Sequence, residues 1–170
     1  AGAKDVTITG AASYSLLSSG QSSIDCTGNV ILENTGTGGI TSGGTFQLVH
    51  ANNVTISGAS TNALLASGSG SSLECSGKMT ITNTKGAISN GNSFTAIAHD
   101  MEITGNATDR GSMFSCTTVG LTGKGGNLSL TNNGSAPIVG GTSFTVTGAQ
   151  NVTIIGNCPS TSLQELLSTS

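Results

Sequence analysis

Asp25 and Glu74 are the side chains of this sequence best suited to acid–base chemistry. They sit in equivalent stretches, Ile24-Asp25-Cys26 and Leu73-Glu74-Cys75, 49 residues apart. Gln47 holds the matching place between them, in Phe46-Gln47-Leu48, and Thr95 and Thr145 continue the series. Two carboxyl groups ~6.5–9.5 Å apart are what an inverting glycosidase uses, one to protonate the leaving oxygen and one to activate water. The supporting cast is thin. The single Arg, Arg110, stands in Asn106-Ala107-Thr108-Asp109-Arg110, Tyr14 is the only Tyr, and no Trp is present to stack a sugar ring. The main reading is therefore a non-enzyme with no catalytic residue assigned. A polysaccharide lyase or hydrolase built on Asp25, Gln47 and Glu74 is the alternative.

His50 and His99 recur at the same 49-residue interval, as do Cys26 and Cys75. A shared metal would need a bond of ~2.0–2.1 Å from each imidazole, and no Cys-x-x-Cys pair offers a thiolate site, so no metal and no cofactor are assigned. Cys26 and Cys75 read as free, buried, small apolar residues, and Cys116 and Cys158 as members of irregular segments. Whether any disulfide forms is left open.

The 170 residues contain 26 Gly, 8% charged and 35% hydrophobic residues. Disordered chains are usually highly charged, and this one is not. Abundant Val, Ile and Thr argue against a helical bundle, and no apolar run reaches the ~20 residues of a membrane helix. A net charge of −3 with one Arg argues against nucleic-acid binding, which needs clustered cations. A Ser/Thr/Asn/Gly surface suits an extracellular setting. No basic-then-apolar leader opens the chain; any such segment is expected to have been removed or to lie outside it.

The elements that position these residues come from a repeat. Asp5-Val6-Thr7-Ile8-Thr9-Gly10, Asn53-Val54-Thr55-Ile56-Ser57-Gly58 and Asn151-Val152-Thr153-Ile154-Ile155-Gly156 are variants of one segment. Its first apolar residue falls at 6, 30, 54, 79, 101, 128 and 152, a beat near 24 residues. Two further apolar columns keep that beat, one through Leu16/Leu17, Ile40 and Leu64/Leu65, the other through Ile24/Cys26, Phe46/Leu48 and Leu73/Cys75. Each repeat thus holds three short runs of period-2 alternation, the strand signature. One such unit cannot bury its own apolar face, and stacked units can. The expected fold is all-β, a right-handed parallel β-helix of about seven coils with three short strands per coil, over residues 1–157. Residues 158–170 form a tail, with Ser162-Leu163-Gln164-Glu165-Leu166-Leu167 as a short amphipathic cap.

Two features of the repeat invite functional readings. Gly10, Asn34, Gly58, Asn83, Gly105, Asn132 and Gly156 form a column that suggests a left-handed turn residue, which Gly and Asn tolerate. The outward positions Thr7/Thr9, Thr55/Ser57, Thr80/Thr82 and Ser129/Thr131 form a hydroxyl ladder of the kind an ice-binding solenoid uses. Ile31, Glu33 and Glu102 interrupt it, and ice binding is a second alternative. Asn53, Asn106, Asn127, Asn133 and Asn151 open Asn-x-Ser/Thr triplets, most of which the repeat itself generates. His50 with His99 and Phe46 with Phe94 and Phe144 also recur at 48 to 50 residues, which points to a two-coil unit.

Gly43-Gly44-Thr45-Phe46 followed by Asn52-Asn53-Val54-Thr55-Ile56-Ser57-Gly58, and Gly140-Gly141-Thr142-Ser143-Phe144 followed by Asn151-Val152-Thr153-Ile154-Ile155-Gly156-Asn157, resemble the passenger repeats of chlamydial polymorphic membrane proteins. Gly38-Gly39-Ile40 and Lys85-Gly86-Ala87-Ile88 are similar to that family's Gly-Gly-Ala-Ile element. The resemblance implies a fragment of an autotransporter passenger, displayed at the bacterial outer membrane and adhering to a host-cell surface protein or glycan. It implies membrane attachment only through a translocator domain outside this chain, and it assigns no site residue.

Overall fold

A computed structural model describes residues 4–108 and 111–157. Short and longer strands alternate along the chain. The short ones are β1 (Val6–Gly10), β3 (Val30–Asn34), β5 (Val54–Gly58), β7 (Lys78–Asn83), β9 (Asp100–Gly105), β11 (Asn127–Asn132) and β13 (Asn151–Gly156). Between them run β2 (Ser15–Asp25), β4 (Gly39–Ala51), β6 (Ala63–Cys75), β8 (Ala87–Ala98), β10 (Phe114–Gly123) and β12 (Ser143–Thr147). Each set forms one sheet in chain order, seven strands in the first and six in the second, and every pairing is parallel. The fold is the parallel β-helix that the repeats imply.

Two details differ from the sequence reading. The stack makes about six turns, the seventh coil being represented by β13 alone. The second and third apolar runs of a coil merge into one long strand, most clearly in β4, β6 and β8. That strand bends at glycines with positive φ, Gly43 (152°), Gly70 (129°) and Gly91 (137°), and β4, β6 and β8 slip register there. A bend at Gly keeps the backbone pairing while turning the side chains around the corner. The cap segment 162–167 lies outside the described residues.

The first sheet has the predicted columns. Val6, Val30, Val54, Met79, Met101, Leu128 and Val152 stack in register, as do Ile8, Leu32, Ile56, Ile81, Ile103, Leu130 and Ile154. In the second sheet β8, β10 and β12 align as the columns predict, Phe94 with Val119 and Phe144, whereas β2 and β6 are shifted by two residues against their neighbours. Phe46 lies beside Ser22 and Ser71, and Phe94 beside Ser71 and Val119, whereas Ile24 pairs Leu48. A two-residue slip keeps every inward residue inward, so apolar alternation cannot detect it. Volume decides it: in a close-packed interior a ring fits best beside a small neighbour.

Two kinds of coil therefore alternate. One kind carries Gly at the corner after the short strand, a large residue early in the long strand and a smaller one later: Gly10, Leu17, Ser22; Gly58, Leu65, Ser71; Gly105, Phe114, Val119. The other reverses this: Asn34, Thr41, Phe46; Asn83, Ser89, Phe94; Asn132, Val139, Phe144. Rings from the two kinds meet where Phe94 and Phe114 stand 4.9 Å apart.

The corner column is not a left-handed turn. Among the described residues the positive-φ positions are His50, Gly43, Gly70, Gly91, Gly125 and Gly148. Asn34, Asn83 and Asn132 are instead fully buried, and their amides bind the backbone of the corner. Asn34 Nδ2 donates to the carbonyls of Ala12, Gly38 and Gly39, and its Oδ1 accepts from the N–H groups of Ala12 and Gly36. The intervening glycines make room for the next side chain: a Cβ on Gly58 would lie 2.6 Å from Leu64 Cδ1.

Candidate functional site

Of the three residues of the enzyme alternative, Gln47 stands apart from the two carboxylates. Asp25 pairs Val49 across the coils, Gln47 pairs Ser23 and Ser72, and Glu74 pairs Ile97. Gln47 thus belongs to a neighbouring column, a consequence of the same two-residue shift, and Thr95 lies in the Gln47 column instead. The shallow depression that Gln47 lines, with Gln21, Ser69 and Ser93, contains neither Asp25 nor Glu74. Both carboxylates are occupied: Asp25 Oδ1 sits 2.9 Å from His50 Nδ1 and Glu74 Oε1 3.1 Å from Lys124 Nζ. Arg110 lies outside the described residues.

These pairs belong to a charged seam at the corner where each long strand gives way to the next short one. His99 Nδ1 contacts Asp100 Oδ2 at 2.9 Å, and Lys78 Nζ contacts Glu102 Oε2 at 2.8 Å. Asp25 holds the His50 imidazole above its ordinary pKa, chiefly through their hydrogen bond. The backbone N–H of Asn127, then His99, holds Asp100 below its ordinary value. His50 and His99 point to separate carboxylates, and no group of three metal-ligating side chains occurs among the described residues. Just inside the seam, Cys26 and Cys75 are buried free thiols, and burial pushes Cys75 up to about 11. Cys116 is also a buried free thiol, but within β10 rather than an irregular segment, 3.6 Å from Ser89 Oγ. Cys158 lies outside the described residues.

The hydroxyl ladder of the first sheet is in register: Thr7, Ile31, Thr55, Thr80, Glu102, Ser129 and Thr153 are successive neighbours. Ile31 stays exposed and Glu102 is pinned by Lys78 within it. Beside the ladder the exposed amides pair between coils, Asn53 Nδ2 donating to Asn29 Oδ1 and Asn151 Nδ2 to Asn127 Oδ1.

The composition-led reading missed a groove at the opposite corner, between the short strands and the long strands that follow them. Two depressions of about 270 and 280 Å³ adjoin there and share Thr61, Asn62 and Ala63. Tyr14 stands at one end, 89% exposed, and Lys85 lies further along. A Cβ on Gly38 would overlap the Tyr14 carbonyl, and one on Gly86 the Asn62 carbonyl, so glycine at both lets neighbouring coils stack closely beside the groove. Gly38 and Gly86 are 48 residues apart, the period of the two-coil unit, and that recurrence was the available signal. Among the described residues, no carboxylate lines either depression. No family model matches this chain, and no curated protein or solved structure does.

Proposed function

We propose that this chain is a non-enzymatic bacterial cell-surface module, passenger-like, working in adhesion to host cells or as a structural stalk. The observation that carries the reading is a surface that repeats in register along the whole stack, largely of uncharged Ser, Thr and Asn. Extended faces of solenoids bind through area rather than through one pocket. The placement of the charges supports it, because the seam gathers Asp25, Glu74, Lys78, Asp100, Glu102 and Lys124 into pairs and leaves the faces largely of uncharged groups. The resemblance to autotransporter passenger repeats points the same way. The test is direct: fluorescently labelled protein is titrated onto cultured epithelial cells and onto immobilised matrix proteins. Saturable binding, competed by unlabelled protein, is the expected result for an adhesin. Absence of binding at tens of micromolar removes adhesion and leaves the stalk.

A further inference from the structure

We propose that the groove between Tyr14 and Lys85 binds a linear acidic oligosaccharide, which deepens the adhesion reading above and rests on it. Four observations converge. The trough is open and crosses successive coils along the stacking direction, a shape that suits an extended chain. Its walls, including Ser15, Thr37, Thr61 and Asn62, present hydroxyls and an amide, groups that exchange hydrogen bonds with sugar hydroxyls in either direction. Tyr14 offers an aromatic face at one end with almost nothing against it, 89% exposed. Further along, Lys85 carries an exposed ammonium with no ion-pair partner among the described residues, in contrast to Lys78 and Lys124. A cation with no carboxylate beside it among the described residues of the groove matches a sugar acid rather than a neutral sugar. Successive coils also repeat every ~4.8 Å, comparable with the length of one pyranose unit, so equivalent wall groups meet successive sugars.

Tyr14 is the only Tyr and the chain has no Trp, so intrinsic fluorescence reports on this groove alone. The experiment titrates the protein with hyaluronan, polygalacturonate and alginate hexasaccharides, and with neutral chitohexaose. Tyrosine emission and calorimetry are followed together. The expected result is saturable emission change with at least one acidic hexasaccharide and a weaker response to chitohexaose. Lys85→Ala is expected to weaken binding about tenfold, the loss of one charge-assisted contact, and Tyr14→Ala to weaken it by a similar factor in calorimetry. Circular dichroism should be unchanged, because both side chains are exposed. Absence of any response at millimolar sugar overturns the proposal, as does equal affinity for chitohexaose or binding indifferent to both substitutions. If cell binding persists while all hexasaccharides fail, the groove proposal falls and the adhesion reading stands. If cell binding itself is absent, the adhesion reading falls on its own assay.

Discussion

Replacing Asn34 by Ala is the most searching perturbation of this solenoid. Asn34 is fully buried between the two sheets, and its amide serves five backbone groups. The carbonyls of Gly38, Gly39 and Ala12 take its Nδ2 protons at 3.0 to 3.1 Å, and Ala12 also receives the Gly38 N–H. The N–H groups of Ala12 and Gly36 donate to its Oδ1 at 2.9 and 3.0 Å. In Asn34→Ala the buried carbonyls of Gly38 and Gly39 lose this donor, and the part-buried N–H groups of Ala12 and Gly36 lose their acceptor. Each orphaned group costs about 1–3 kcal/mol, so the loss is about 4 kcal/mol. With a urea slope of about 2 kcal/mol per molar, the unfolding midpoint should fall by about 2 M. Solenoid coupling is between nearest neighbours, so hydrogen exchange should accelerate most at Ala12, Gly36 and their adjoining strands. Asn151→Ala, which removes an exposed inter-coil amide pair, is the control and should change stability by less than about 0.5 kcal/mol. An Asn34→Ala loss below about 1 kcal/mol, or exchange unchanged at Ala12 and Gly36, would show that the corner does not depend on this amide.

Three further outcomes follow from the packing and the seam. Ser71 Oγ is the buried side-chain oxygen with no hydrogen-bond partner among the described residues, so Ser71→Ala should raise stability by about 1 kcal/mol in urea unfolding. Gly38→Ala should cost about 3 kcal/mol or more, because its Cβ meets rigid backbone, whereas Gly20→Ala meets nothing within 4 Å and should be near neutral; similar effects for both would remove the close-approach argument. His50 should titrate above the ordinary His range by NMR and return to it in Asp25→Asn. Because its pKa is raised in the folded state, the pair stabilises the protein at pH below the unfolded His value, and that contribution disappears as pH rises through the folded value.

The fold was legible because the short strand is strictly periodic. Val6 to Val152 recur in a segment whose length barely varies, and backbone pairing then dictates the register. The long strand was only half legible. Phe46 and Ile24 are both inward and apolar, and an even-numbered slip between them leaves the alternation intact, so only the volume conflict resolved in the packed interior separates the two alignments. The same slip moved Gln47 out of the column that the alternation had assigned it with Asp25 and Glu74. Asn34 was legible as a corner residue but not in its role, since tolerance of a left-handed φ and an inward amide select the same residue type. The groove was invisible to a search for titratable clusters because its described lining is mostly Ser, Thr, Asn, Gly and Ala.

The two-coil period has a physical consequence beyond its origin in the chain. In a solenoid of identical coils, a strand that pairs one coil out of place makes the same contacts as a correct one, and nothing local rejects the error. Here three features switch together from coil to coil: Gly against Asn at the corner, large against small early in the long strand, and small against large later in it. A one-coil slip would set Phe46 against Phe94 in adjacent coils, put Thr41 beside Ser89 across an unfilled gap, and bring two buried amides together at the corner with too few backbone groups to serve both. Overpacking alone costs about 1–3 kcal/mol per site, the gap adds a cavity cost, and an unsatisfied buried amide adds a similar penalty. The mismatches fall together at the slipped junction, so a single slip carries all of these costs at once while every native junction carries none. Alternation thus supplies the specificity that a repetitive, uncharged sequence would otherwise lack, and it does so from the interior, leaving the outer faces free to remain uniform.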